Sequence, residues 1–396
     1  MKNIYNCTPY KIELPDIIRG AGIYVYDSGG KKYMDLESGV WCTSVGHSNK
    51  RINNVIKTQT EKIMHIGFCY ENGEIIDSAA GKILEVTGFT EGKCVFLCSG
   101  SEAIELARQI AKKITGNVMS MTMHDSYLGS YSSVKDRSRN WYIFDWNKCD
   151  GCTETEKCDP DCDQLKNIPG DISEFILEPG SSSGYVRFPP ESLVRNIVDI
   201  VRNNGGKIIS NEVTTGIGRT GKWFGFQHYG IKPDLIAIGK GVGNGYPVSV
   251  TILNKKTARE AEQSGFRYMQ SHQNDPLGAL IAGEVISIIS DENLIDHSDR
   301  KGKLFLSHLK TLKDGRIITE VRGRGLMFAM DICNNKMGDE IFIKLLEKGY
   351  IVCNRGALFR IDPPLTITEK EFMGFVSDFK DILGSIHRRT KGFAHG

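Results

Sequence analysis

The stretch LIAIGKGVGNGYP, Leu235–Pro247, limits what this chain can fold into more than any other. Apolar residues of the kind found in a buried strand run straight into a charged amine, Lys240. Gly241, Gly243 and Gly245 follow, spaced by small or polar residues up to Pro247. A lysine just past a strand is ordinarily a solvated surface residue. Here the flanks point elsewhere. A partly desolvated amine has a lowered pKa and can join a carbonyl as an imine. Glycines leave the backbone room beside a bulky group. Two nucleotide-binding readings are excluded. The glycine run lacks the helix a dinucleotide fingerprint needs, because Pro247 stops one. The P-loop pattern fails because position 234 is Asp.

Around that segment the chain alternates strands and helices. VFLCSG reads as a short buried strand entering SEAIELARQIAKKITG, whose Ala103, Ile104, Ala107, Ile110, Ala111 and Ile114 keep helical spacing up to a stop at Gly116. FILEPG, KIISNEV and DLIAIGK are further strands, and ESLVRNIVDIVRNNGG is an amphipathic helix. GIYVYDSGGKKYMDLES reads as a hairpin. The pattern predicts an α/β fold with a large domain built on a mostly parallel sheet. The predicted division is an N-terminal segment, 1–45, belonging to a small domain; a large domain, 46–295; and a smaller α+β C-terminal domain, 296–396. The chain of 396 residues, 25% of them charged, has a net charge of +2 and no long like-charge run, so neither nucleic acid nor an acidic membrane is implied as a partner. The N-terminal stretch shows no secretory signal. Eleven scattered cysteines fit a reducing cytoplasm better than a disulfide framework.

In open α/β sheets, ligands sit at the carboxyl ends of strands. Three predicted strands end in CSGSE, LEPGSSSG and IGKGVGNG, and ISNEVTTG closes a fourth. Ser99, Gly100 and Ser101 stand where strand turns into helix. Unpaired N–H groups and the helix dipole suit a phosphate there, although a plain N-cap has the same look. A phosphate site plus an imine-forming lysine is what pyridoxal phosphate requires.

The residues that carry this pattern also carry a resemblance. YDSGGKKYMDLESGVWCTSVGHSNKRI, SGSEAIELA, ILEPGSSSG, NEVTTGIGRTGKWFGFQHYGIKPDLIAIGKGVGNGYP, SHQNDPLGALIA and FRIDPPLTIT resemble the landmarks of the class III pyridoxal-phosphate aminotransferases, of acetylornithine, ornithine and 4-aminobutyrate aminotransferase type, over nearly the whole chain. The resemblance implies the fold type I architecture and a homodimer. It also implies transfer of an amino group between an amino acid or amine and a 2-oxo acid. Lys240 matches the Schiff-base lysine and proton shuttle. Gly100 and Ser101 match the phosphate loop, and Ser271 falls where a Thr usually reaches the partner subunit's phosphate. Tyr127 matches the aromatic residue stacked on the pyridine ring, Glu178 the active-site glutamate, and Arg360 the arginine that grips a substrate carboxylate. Trp41 is a candidate lining of the substrate pocket; a core role is the alternative.

Four positions depart from that pattern. Asn211 stands where the family has an Asp that keeps the pyridine nitrogen protonated. The expectation is a weaker electron sink, and Glu212, its neighbour on the strand, faces the other side of the sheet. This leaves epimerisation, decarboxylation or elimination on the same fold, or a catalytically impaired homologue, as alternative readings. Thr214 replaces a Gln that often contacts the cofactor's phenolic oxygen. Ser130 replaces an Arg carried by many members with glutamate-like substrates, which predicts pyruvate or another monocarboxylate over 2-oxoglutarate. Finally, Cys149, Cys152, Cys158 and Cys162 form C-x2-C-x5-C-x3-C in a turn-rich segment. Four thiolates could close a structural zinc or iron–sulfur site; a reduced loop without metal is the other reading.

Overall fold

The computed structural model describes residues 3, 5, 7, 15–67, 73–149, 157–183 and 185–392, side chains at the last helix's end excepted. Its centre is a seven-stranded sheet. In spatial order the strands are Lys93–Leu97, Ser249–Leu253, Leu235–Ile238, Lys207–Asn211, Ile172–Leu177, Met119–Met123 and Trp141–Phe144. Ser249–Leu253 runs antiparallel to both neighbours, and the others run parallel. Six strands therefore point their carboxyl ends to one edge. The parallel register aligns those ends: Leu177 lies opposite Ser210, and Asn211 opposite Ala237.

The sheet is buried on both faces, which is why its strands are continuous apolar runs rather than alternating ones. Successive residues still take opposite sides. Phe175, Ile208 and Ile236 join the larger core with Leu193, Val194, Ile197, Val198 and Val201 of helix Glu191–Asn203. Ile176, Ile209, Leu235 and Ala237 pack instead with Ala103, Ile104, Ala107, Ile110 and Ala111 of helix Gly100–Thr115. That helix starts at Ser99, whose hydroxyl and Glu102 form a reciprocal capping box, and ends at Gly116 in the left-handed conformation.

Two smaller sheets flank this layer. One joins Ile17–Ala21, Tyr24–Asp27 and Lys32–Asp35 to Tyr350–Ile351, so the predicted hairpin forms and its second strand pairs in parallel with a segment more than three hundred residues later. The other contains Ile318–Arg324, Met327–Ile332, Leu358–Ile361 and Cys353–Asn354. The chain between the hairpin and residue 46 is clamped to the C-terminal part: Asp362 N–H donates to Leu36 O at 2.6 Å, and Leu365 N–H to Ser44 O at 2.8 Å. Among the described residues no helix is long and apolar enough to cross a membrane.

Candidate active site

A cavity of about 140 Å³ opens at the carboxyl ends of the parallel strands. It is lined by Gly100, Ser101, Tyr127, Glu178, Asn211 and Lys240, together with Ile104, Leu128, Gly129, Ser182, Val213 and Thr214. Each strand brings its contribution because parallel register stops the strands at one level, and the next residue of each turns into the gap.

Lys240 sits two residues past Leu235–Ile238, in a short turn with a left-handed φ of 46°. A non-glycine residue there is strained, and such strain gathers where a side chain must be aimed. Burial pushes its amine below the ordinary lysine range, with Cys42 and Glu178 pulling the other way and Arg360 adding to the fall. Gly239 supplies close approach: a Cβ on it would lie 3.3 Å from the Gly100 Cα.

At the opposite wall, the N–H groups of Gly100 and Ser101 have no partner among the described residues; the capping box uses those of Cys98, Ser99 and Glu102. A Cβ on Gly100 would meet Val213 Cγ1 at 2.7 Å, so any larger residue would push Val213 or the helix start aside. Ser101 Oγ accepts from the Ser130 N–H at 3.0 Å, and the Tyr127 hydroxyl lies 3.0 Å from Ser130 Oγ.

Asn211 is buried, and its amide is oriented by the backbone. Its Nδ2 donates to Tyr127 O at 2.9 Å, and its Oδ1 accepts from the Val213 N–H at 3.3 Å. Two backbone groups of opposite polarity fix which end is which. Glu212 points to the other side of the sheet, where it takes donors from Ser210, Thr215, Gly225 and Phe226. The Tyr127 N–H donates to Glu178 Oε2 at 2.9 Å, and Ser182 Oγ donates to the other oxygen. Burial pushes the Glu178 carboxyl up to about 7. Thr214 Oγ1 is buried with no hydrogen-bond partner.

Arg360, on strand Leu358–Ile361, is buried outside this cavity lining and stacks on the Trp41 ring with Cζ 3.7 Å from its centroid. The other cation near that ring is Lys240, with Nζ at 5.6 Å. Arg360 Nη1 donates to Ser182 O at 2.9 Å, while Nε and Nη2 are buried without hydrogen bonds. Glu37 and Asp362 face them at 3.6 Å and 3.5 Å. Trp41 reaches this position through an unusual turn: Ser38, Gly39, Val40 and Trp41 all have left-handed φ, from 49° to 63°. Asp35 holds the turn by accepting from the Glu37 and Gly39 N–H groups at 3.0 and 2.9 Å, and is itself bound by His47 at 2.8 Å. Neither Asp35, Val213 nor Ser182 stands out in the sequence. The only hint is the Asp35–Gly39 spacing.

Ser271 lies in an exposed turn and does not line the cavity. Of the cysteine segment, Cys152 lies outside the described residues. Cys149, Cys158 and Cys162 do not converge as a metal-holding group among the described residues.

The cavity fits pyridoxal phosphate. It offers unspent N–H donors at a helix start, an uncommitted buried hydroxyl at Thr214, a neutral amide and a desolvated amine. Comparison with known proteins gives the same answer. The sequence profile of the family described as "Aminotransferase class-III" matches residues 9–134 and 142–383. The chain is similar to the acetylornithine aminotransferase of Archaeoglobus fulgidus, with 32% identity over 364 residues covering 90% of this chain and 92% of that one. It is also similar to the acetylornithine aminotransferase of Aquifex aeolicus, with 29% identity covering 92% and 96%. A Bacillus anthracis aminotransferase crystal structure shares the fold, with TM-score 0.88 at 23% identity over 97% and 96% of the two chains. Taken with the cavity, these matches place the chain in the class III aminotransferases, enzymes dependent on pyridoxal phosphate.

Proposed function

We propose that this aminotransferase uses Lys240 as the residue that holds pyridoxal phosphate and moves the substrate's proton, in a site tuned by Asn211 and aimed at monocarboxylate oxo acids. The observation that carries the reading is the half-buried, pKa-lowered amine of Lys240 facing free helix N–H groups and Asn211 across one cavity. When bound, the cofactor supplies an aldehyde that carries the amino group and a ring that draws electrons from the substrate carbon. Lys240 Nζ, deprotonated more readily than an exposed lysine, would take the proton from the substrate carbon bearing the amine and deliver it to the carbon that had been the cofactor's aldehyde. The Gly100 and Ser101 N–H groups bind the phosphate. Arg360, oriented by stacking on Trp41, is assigned to the substrate carboxylate, which would have to displace Glu37 from Nη2, 3.6 Å away. Thr214 Oγ1 would donate to the cofactor's phenolic oxygen. Ser271 is assigned to the phosphate of a partner subunit, which makes the enzyme a homodimer.

Asn211 carries a specific consequence. With Oδ1 held by Val213 and one Nδ2 hydrogen by Tyr127, the remaining Nδ2 hydrogen is a donor. Because the amide carries no charge to hold a proton on a pyridine nitrogen facing it, that nitrogen is expected to be unprotonated at neutral pH and to accept from this donor. Nitrogen-15 NMR of labelled cofactor in the holoenzyme tests this, and a protonated shift at neutral pH overturns it.

Acceptor choice follows from charge. No arginine lines the cavity among the described residues, and Ser130 offers no guanidinium. Arg137 is engaged with Ser126 O at 2.7 Å and Val134 O at 2.9 Å. A second carboxylate therefore lacks a bidentate partner. Acetylornithine is the donor named by the relatives, and it heads the donor screen here. The test has two parts. Borohydride reduction followed by peptide mapping should fix the cofactor to Lys240. The amine-charged enzyme should then react faster with pyruvate than with 2-oxoglutarate; the reverse order defeats the monocarboxylate assignment.

A further inference from the structure

Away from the cofactor cavity, donors from three places along the chain meet at one point. His65 follows helix Lys50–Thr60, His272 lies in the turn after Ser271, and Asp275 is the N-cap of helix Pro276–Asp291. Their ligand atoms all lie within 4.8 Å of one another, and among the described residues no other set of His, Cys, Asp and Glu does this. His65 Nδ1 is 2.5 Å from one Asp275 oxygen, and His272 Nδ1 is 2.6 Å from the other. The imidazole centroids are 4.6 Å apart.

The arrangement is not a by-product of helix capping. An Asp at an N-cap ordinarily accepts from the N–H groups of the first turn. Asp275 makes no such side-chain bond, and both its oxygens are turned to the imidazoles. The side chains of His65 and His272 are 41% and 55% exposed and that of Asp275 is 17% exposed, so an ion can enter and keep water in its remaining positions. Two imidazoles and one carboxylate form a borderline donor set. Such a set suits Zn2+ and its neighbours, whereas Mg2+ and Ca2+ require oxygen ligands throughout.

We infer that His65, His272 and Asp275 form a binding site for a divalent transition ion of the Zn2+ class, placed to pin the turn that carries Ser271. Binding ties that turn to the loop after helix Lys50–Thr60. An adjoining cavity of about 190 Å³, lined by His272, Asp275, Tyr246 and Cys98, runs from the triad to the residue before Ser99. The ion therefore sits between the turn holding Ser271 and the start of the phosphate-binding helix. Only the choice of Ser271 as the affected neighbour rests on the aminotransferase reading; ion binding does not.

The test is calorimetric titration of chelator-treated holoenzyme with Zn2+, comparing the natural chain with H65A/H272A and with the milder H65Q/H272Q. Cofactor absorbance and Tm establish that each variant is folded. The expected result is one equivalent per chain whose affinity falls roughly 100-fold in both variants, since loss of supporting or ligating groups weakens metal sites by factors of this order. Zn2+ taken up by the cysteine segment appears equally in all three proteins and cancels. The same stoichiometry and affinity in the natural chain and both variants would overturn the site. Mg2+ binding as tightly as Zn2+ would overturn its assignment to a transition ion.

Discussion

At the scale of the residue, Asn211 and Glu178 show how position rather than identity sets chemistry. Tyr127 supplies both partners: its N–H points to Glu178 and its carbonyl to Asn211. A carboxylate at position 211 would set an oxygen against that carbonyl, with nothing to donate. Asn211→Asp should therefore lose about 1–3 kcal/mol of apoenzyme stability at neutral pH, the cost of an unpaired buried acceptor, and recover as pH falls and the carboxyl takes a proton. Tm measured against pH reads this directly. Glu178 gives a complementary prediction. Burial lifts its carboxyl from 4.5 to about 7, so the folded chain keeps a proton that the unfolded chain has released between those values. Stability contributed by this group is complete below 4.5, falls as pH rises to about 7, and is level above. Relative to Glu178→Gln, the natural apoenzyme should lose up to about 3 kcal/mol across that window. Parallel stability curves would show that Glu178 titrates normally.

At the scale of the element, the start of helix Gly100–Thr115 does two tasks with separate residues. Ser99 and Glu102 cap the helix, which leaves the Gly100 and Ser101 N–H groups unspent. The two tasks should come apart under mutation. Ser99→Ala should lower stability by about 1 kcal/mol through the lost cap. Gly100→Ala should act chiefly on the cofactor, because a methyl 2.7 Å from Val213 Cγ1 pushes the helix start out of line. Denaturation midpoints and the Kd for pyridoxal phosphate distinguish the two, and equal effects on both quantities would contradict the division. The helix itself was legible in the sequence, from its spacing of Ala and Ile to its stop at Gly116. The left-handed turn Ser38–Trp41 was not. Apart from Gly39 it is made of residues that do not favour that conformation, and Asp35, His47 and the chain at Asp362 impose it from outside.

At the scale of the whole molecule, the cavity is incomplete in one chain if Ser271 serves a partner. Mixing Lys240→Ala and Ser271→Ala chains after dissociation should then restore one intact site per mixed dimer. Activity should rise above that of either parent alone, and no gain would show that Ser271 acts within its own chain or not at all. Segments far apart in the chain are joined in a way that local patterns could not reveal. The hairpin strand Lys32–Asp35 pairs with Tyr350–Ile351, and Arg360 comes to stack on Trp41 across the same junction.

The amino-acid sequence by itself determined the alternating α/β plan, the lysine at a strand end, the glycine-opened helix and the family to which they belong. Each of these is a local matter of periodicity, capping and backbone freedom. Tertiary structure alone decided which way the Asn211 amide faces, which carboxylates face Arg360, and that His65 and His272 share one carboxylate. Those depend on contacts between residues far apart in the chain, where a hydrogen bond or a burial cost is set by neighbours that no local pattern specifies.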